Sequence, residues 1–400
     1  MCISIRSIFP QKSDYLESQG WDAFWILNGF WILGLLILSR ALVPGRGLSI
    51  QIIFFGLLLL WGGHIFSPII TTWMNPAFRM NMLHQWKRYI LLPAATLTLP
   101  CVLFLVGLKV LKTPEGSPLI ASTELVALVI YTFILWNTWH FSAQHFGVLS
   151  IYRRRSSLND PAIRIRDRRF TVIMTCVLLP LAWYTQSQRL GPLYEYLPTP
   201  QARGGLAWIV IAASVALTLY MLFEEFRERR AITPRGLYMI TIGFQPVFAS
   251  ISYFTYNFAL FTVSHWIIAI ALSSRILANQ GAGESASTWE RYRWYLGIYV
   301  GFILLSVPIY LFFYSADVMG SVASDARYLI TSVFQRDQAS SLSGLTGTTA
   351  MAILAGLYFG ITFVHFQYDR FQYSFHDEQV RKTMAPLLFR RLATTKGQAP

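Results

Sequence analysis

The chain has 400 residues, of which 54% are hydrophobic and only 13% are charged, and its formal net charge at pH 7 is +14. This composition excludes an ordinary soluble globular protein, because a water-exposed surface needs far more charged side chains than the sequence supplies. The three cysteines (Cys2, Cys101 and Cys176) form no CxxC pair, which argues against a disulfide framework and against metal binding through thiolates.

Apolar stretches of about 20 residues recur along the whole chain, and each is long enough to cross a bilayer. In chain order they predict ten transmembrane helices, at about residues 21–43, 48–70, 88–111, 119–151, 169–188, 204–223, 235–254, 256–278, 293–314 and 345–369. The predicted fold is therefore an all-α, polytopic helical bundle in residues 1–369, followed by a basic tail in residues 370–400. We expect a multi-pass protein of the cell inner (plasma) membrane that is surrounded by membrane lipids.

Basic residues indicate the orientation of this bundle. Most of the 33 lysines and arginines lie in the N-terminal segment, in every second loop and in the C-terminal segment. Because basic loops stay on the cytoplasmic side, both termini are predicted to be cytoplasmic. The same residues would also attract anionic lipid head groups. Nucleic-acid binding is not expected, since the basic residues flank the spans and do not form a separate domain.

Histidines are the most informative polar residues within the predicted spans. Four of them lie on spans two, four, eight and ten, which all run from outside to inside: His64, His140, His265 and His365. Polar side chains inside a membrane are costly and commonly functional. Four helices that each contribute one imidazole would make a four-nitrogen site suited to iron, copper or zinc. The alternative is that each histidine only forms a hydrogen bond between helices.

Helical geometry adds two residues to this candidate site. His140 and Gln144 share one face of the fourth span, whereas His145 lies about 140° from His140 around the helix axis. On the last span, Asp369 follows His365 by one helical turn. A carboxylate in that position can bind a metal itself, or it can orient an imidazole from another helix.

Short motifs give the chain a resemblance to a group of uncharacterised bacterial polytopic membrane proteins. The motifs are GGHI at 62–65 (followed by Trp73 and Arg79), WHFSAQHFG at 139–147, SHW at 264–266 and HFQYDRF at 365–371. The group resembles this chain in having an H-[IV] element on an early span, a W-H-x-x-K-Q-x-[FY]-G element and an H-[FY]-x-x-D element before a basic tail. This sequence departs from the pattern at Ala143, where the group has lysine.

The resemblance implies which polar residues are functional. It favours one set over His84, His145 and His376: His64, His140, Gln144, His265, His365 and Asp369. In architecture alone, a bundle with separate histidines on several spans is also distantly similar to the membrane β-carotene cleavage dioxygenases, which hold iron with four histidines. That likeness implies non-haem iron as the cofactor.

Together, these patterns predict a metal-dependent membrane oxidoreductase, with iron as the expected metal, that acts on a lipophilic small molecule such as an isoprenoid or an acyl lipid. The four histidines would hold the metal, Asp369 would orient a ligand, and Gln144 would form a hydrogen bond with an oxygen species or water. A redox partner is compatible with this function. Two alternatives stay open: a membrane transporter with a histidine proton relay, and a haem-binding electron carrier with two axial histidines.

Overall fold

The structure is a computed structural model of the chain, and it describes residues 14–42, 46–109, 121–156, 158, 160–186, 200–251, 254–283, 286–314, 345–373 and 377–390. These residues form helices and short connections without any strand, which confirms the prediction of an all-α fold. In chain order the α-helices are α1 (Gln19–Trp25), α2 (Gly29–Leu42), α3 (Arg46–Met74), α4 (Pro76–His84), α5 (Leu92–Lys109), α6 (Ala121–Arg155), α7 (Pro161–Val172), α8 (Leu179–Gln186), α9 (Pro200–Arg229), α10 (Pro234–Ile251), α11 (Phe254–Gly281), α12 (Thr288–Tyr314), α13 (Leu345–Tyr373), α14 (Glu378–Thr383) and α15 (Ala385–Phe389). Two π-helical segments, Lys87–Leu91 and Ile173–Leu178, run directly into α5 and α8.

Within the described residues, three helices are long and apolar enough to cross a membrane: Lys87–Leu105, Gly204–Arg229 and Leu260–Gly281. A fourth is added if α1 and Gly29–Leu38, which are bent by 55° at a short break, form one span. The described parts of the ten predicted spans all fall on helices or on consecutive helices. Their number as membrane crossings is not confirmed, however, and ten spans, their orientation and the plasma-membrane location stay predictions.

Apolar side chains are abundant on the outside of the bundle. Trp208 and Ile209 of α9 are 71% and 65% exposed, and only 17% of the apolar stretch of α9 is buried inside the protein. Helix α11 is the opposite case, because 89% of its apolar stretch is buried. The apolar exterior is compatible with a membrane protein. The burial of α11 places this helix at the centre of the bundle.

Glycines allow α3 and α12 to approach closely beside one of the histidines. A Cβ atom built on Gly63 would lie 2.6 Å from the carbonyl oxygen of Phe302, and one on Gly62 would lie 2.9 Å from the Cα of Ser306. The Gly63 N–H group donates a hydrogen bond to Ser306 Oγ at 2.7 Å. Small residues at such crossings let helix backbones meet, so this pair fixes the position of His64, the next residue of α3.

Another pair of glycines allows α13 to pack against α5. Cβ atoms on Gly356 and Gly360 would lie 2.4 Å from the Cα of Cys101 and from the carbonyl oxygen of Leu97, respectively. Gly360 lies little more than one turn before His365 on the same helix. The crossing therefore fixes the height and rotation of the helix that carries the fourth histidine.

The C-terminal segment folds back onto the bundle. Helix α13 continues to Tyr373, and residues 377–390 form α14 and α15, in which Leu388 is fully buried in the core. The Arg275 side chain of α11 donates a hydrogen bond to the Leu388 carbonyl oxygen at 2.9 Å. The tail predicted to begin at residue 370 is thus part of the packed bundle as far as residue 390, and its last ten residues lie outside the described ranges.

Candidate metal centre

Four histidines from four helices meet in the interior. His64 of α3, His140 of α6, His265 of α11 and His365 of α13 each offer a ring nitrogen, and these nitrogens all lie within 4.8 Å of one another. All four side chains are buried. Residues separated by as many as 301 positions in the chain are thus brought to one point, close enough to hold a metal ion.

In three of the rings, the Nε2 atoms lie close to one another. His265 Nε2 lies 3.2 Å from His140 Nε2 and 3.1 Å from His64 Nε2. Nitrogens at about 2.1 Å from one ion and at angles of about 90° to 109° are about 3.0 to 3.4 Å apart. The observed separations therefore fit nitrogens that share one ion.

The fourth ring has a fixed tautomer. His365 Nδ1 lies 3.2 Å from the carbonyl oxygen of Ile65, and because a carbonyl oxygen only accepts, Nδ1 carries the proton and donates. His365 Nε2 then has a free lone pair, and it is buried without a hydrogen-bond partner among the described residues. A backbone carbonyl behind the ring is the usual way in which a protein orients a metal-binding histidine. A buried nitrogen with a free lone pair and no hydrogen-bond partner is what a metal ligand provides, so His365 fits a metal site.

The rings of His64 and His265 lack this support. His64 Nδ1 and His265 Nδ1 are buried and have no hydrogen-bond partner within the described part of the chain. Packing against phenylalanines orients two of the rings. His265 lies against Phe141 with ring centroids 4.1 Å apart, and His140 stacks on Phe366 at 4.4 Å. These apolar rings cover two of the imidazoles. Sequence analysis did not single them out, although each directly follows a candidate histidine.

A polar contact at the bend between α1 and α2 holds the backbone next to His265. Asn28 Nδ2 donates to the Ser264 carbonyl oxygen at 3.1 Å, and Ser264 Oγ donates to Asn28 Oδ1 at 2.5 Å. Both side chains are buried. Asn28 thus has a structural role one residue away from the cluster.

Asp369 lies beside the cluster, on the side of His140 that faces His265. Its Oδ2 is 3.6 Å from His140 Nε2, the nitrogen that also approaches His265. A carboxylate that orients a metal-binding imidazole contacts the outer nitrogen of that ring. Asp369 instead faces the inner nitrogen of His140, where the ion would lie.

Gln144 contacts the backbone of α11. Its Nε2 donates to the His265 carbonyl oxygen at 3.4 Å, while Oε1 is buried and has no partner among the described residues. The amide therefore connects α6 to α11 at the level of the cluster. Its role in binding an oxygen species or water stays a prediction.

Neither of the other two histidines that the structure describes, His145 and His84, joins the cluster. His145 Nδ1 lies 2.7 Å from Tyr238 Oη, and its Nε2 lies 3.4 Å from the Gln245 amide, so the side chain is used in contacts with α10. His84 ends α4. His376 lies outside the described residues. The regular helix α6 thus separates His140 from His145, in agreement with the angle of about 140° between them.

Comparison of the chain with protein-family models, with curated proteins and with solved structures gave no match. Function is therefore argued from the geometry of the histidine cluster.

Proposed function

We propose that the protein is a metal-dependent membrane oxidoreductase, with non-haem iron as its metal, that oxidises a lipophilic small molecule such as an isoprenoid or an acyl lipid. The observation that carries the proposal is the convergence of four buried imidazoles on one point. Neutral imidazole nitrogens whose lone pairs face one another are unfavourable unless a proton or a cation lies between them. A metal ion would satisfy all four at once.

The donor set and its surroundings support iron and redox chemistry. The four ligands are imidazoles, which suit iron, copper and zinc, and both cysteines for which the structure describes a conformation lie elsewhere. An iron ion held there would supply one-electron chemistry, with dioxygen or a redox partner as the electron acceptor. The aromatic wall formed by Phe141 and Phe366 would keep water away from the reacting atoms.

An apolar crevice supports a lipophilic substrate. Its lining includes Phe30 and Leu33 of α2, Phe244 of α10 and Leu260 of α11, and it reaches Ser264, which precedes His265 in the chain. Phe30 and Phe244 are both 44% exposed at the outside of the bundle. The crevice has a volume of about 90 Å³ and none of the four histidines lines it, so it offers a hydrocarbon chain in the surrounding lipid a surface of its own polarity near the cluster.

A proton relay is the second candidate, because the distances within the cluster also fit hydrogen bonds. His140, His265 and His64 form a chain of nitrogens 3.2 and 3.1 Å apart. A relay requires a path onward to each side of the membrane, and His64 Nδ1, at one end of this chain, has no hydrogen-bond partner among the described residues. A haem site loses support at two of the pairs, since nitrogens 3.2 and 3.1 Å apart leave no room for a porphyrin between them.

Metal analysis together with the visible spectrum of the purified protein tests the proposal. We expect about one iron per chain and no Soret band. A protein free of metal would contradict the proposal and favour the relay, and a Soret band would favour the electron carrier. Substrate is tested separately, by incubating the iron-loaded protein with isoprenoids and with acyl lipids under air and analysing the products by mass spectrometry.

A further inference from the structure

Asp369 is buried without the partners that a carboxylate needs. The residue is 5% exposed, and Oδ1 has no hydrogen-bond partner among the described residues. Among the described residues, Oδ2 lies 3.6 Å from His140 Nε2, and this distance is too long for a hydrogen bond. An ionised carboxylate in the interior is strongly unfavourable unless a cation compensates it. Neither a lysine nor an arginine of the described residues forms an ion pair with it.

Asp369 lies next to one nitrogen of the cluster, although its oxygens are not among the donor atoms that all lie within 4.8 Å of one another. Its Oδ2 faces the same His140 nitrogen that lies 3.2 Å from His265 Nε2. An oxygen and a nitrogen that are both about 2.1 Å from one ion, at an angle of about 120°, are about 3.6 Å apart. The observed separation of 3.6 Å matches this value.

We propose that Asp369 is a fifth ligand of the metal, so that the site consists of four imidazoles and one carboxylate. The inference rests on the proposed metal site and deepens it. The ion supplies the positive charge that the buried carboxylate lacks, and the carboxylate cancels one charge of an ion that four neutral imidazoles leave uncompensated. Oxygen ligation favours iron over the softer Cu(I), which prefers sulfur ligands.

Cobalt substitution tests the ligand role with a readout that is independent of activity. Co²⁺ absorbs visible light strongly in four-coordinate sites and weakly in five-coordinate sites. We expect the weak spectrum from the cobalt-loaded protein and the strong spectrum from Asp369→Asn. We also expect the cobalt affinity of Asp369→Asn to fall by roughly 100-fold or more, because loss of a residue that only orients a ligand costs about 10- to 100-fold. His145→Gln is the matched control and should keep the spectrum of the unchanged protein.

Small carboxylates provide a second measurement. In Asp369→Ala, added sodium formate should restore the weak, five-coordinate cobalt spectrum, whereas sodium chloride should leave the strong spectrum unchanged. This variant also guards against the case in which Asp369→Asn fails to fold.

The outcomes separate the two proposals. An unchanged protein that takes up no cobalt would overturn the metal site and the ligand role together. A cobalt-loaded protein with a strong, four-coordinate spectrum that Asp369→Asn leaves unchanged would overturn only the role of Asp369.

Discussion

At the residue scale, the cluster is explained by what an imidazole needs when it is buried. Each ring has one nitrogen that carries a proton and one that carries a lone pair. In His365, the proton is used by the carbonyl oxygen of Ile65, which leaves the lone pair directed into the cluster. This hydrogen bond supports the proposed ligand role of His365 independently of the other three rings.

His140 and His145 form a matched pair for mutagenesis, because they lie on the same helix and are both buried. His140→Gln removes a nitrogen of the cluster, so we expect most of the metal to be lost. His145→Gln breaks contacts with Tyr238 and Gln245 but leaves the four cluster nitrogens in place, so we expect at least part of the metal to remain. Metal content of the two purified variants checks this. Equal loss from both would show that His145 belongs to the site.

Sequence patterns predicted the residues that meet, but not the direction in which each side chain points. The set His64, His140, His265 and His365 followed from the predicted topology and the motif resemblance. The side of His140 on which Asp369 lies depends on the rotation of α13 against α6 and on two side-chain rotamers. A sequence pattern along one helix does not predict either of these. The pairing of Asn28 with Ser264 joins residues 236 positions apart and could not be predicted for the same reason.

At the element scale, glycine contacts fix the helices that carry the site. The α3–α12 crossing at Gly63 and the α13–α5 crossing at Gly360 each bring backbones closer than a side chain would allow. Both crossings lie within about one turn of a cluster histidine. Tight packing here therefore determines the geometry of the site as well as stability.

Gly63→Ala tests this link between packing and metal binding. The new Cβ would lie 2.6 Å from the Phe302 carbonyl oxygen, so α3 and α12 must separate. We expect a loss of about 1 to 3 kcal/mol in stability, measured by thermal unfolding in detergent, and a lower metal affinity because His64 moves with its helix.

Gly301→Ala on α12 is the control for this substitution. A Cβ at Gly301 meets no atom within 4 Å, and alanine favours a helix over glycine by up to about 1 kcal/mol. We expect unchanged metal binding and equal or slightly higher stability. If Gly63→Ala behaved like Gly301→Ala, the close crossing would not determine the position of His64.

Helix breaks and the return of the C-terminal segment were not evident from hydropathy. The first apolar run predicts one continuous span, whereas the structure bends by 55° between α1 and α2. Asp22 explains part of this arrangement, because its carboxylate accepts hydrogen bonds from the Leu16 N–H group and from Tyr152 Oη, both at 2.8 Å. These contacts keep α1 at the end of α6. Hydropathy averages over a window cannot detect such individual long-range bonds.

At the scale of the whole molecule, topology is the feature that most needs an experiment. Reporter fusions at Ser157 and at the C-terminus should report the cytoplasm, because basic residues collect near both positions. Fusions near Gln201 and at Ser340 should report the opposite side. A periplasmic signal from the Ser157 fusion would reverse the orientation and remove the basis for a bundle of ten spans with cytoplasmic termini.

The central claim is that four distant histidines act as one metal-binding unit, and metal stoichiometry in alanine variants tests it most directly. Because three remaining ligands cannot keep the original coordination, single substitutions of His64, His140, His265 and His365 should each remove most of the metal. Double substitutions should add little, since residues that act as a unit are strongly non-additive. Four single variants that keep their full metal content, or that lose metal in additive steps, would contradict the shared site.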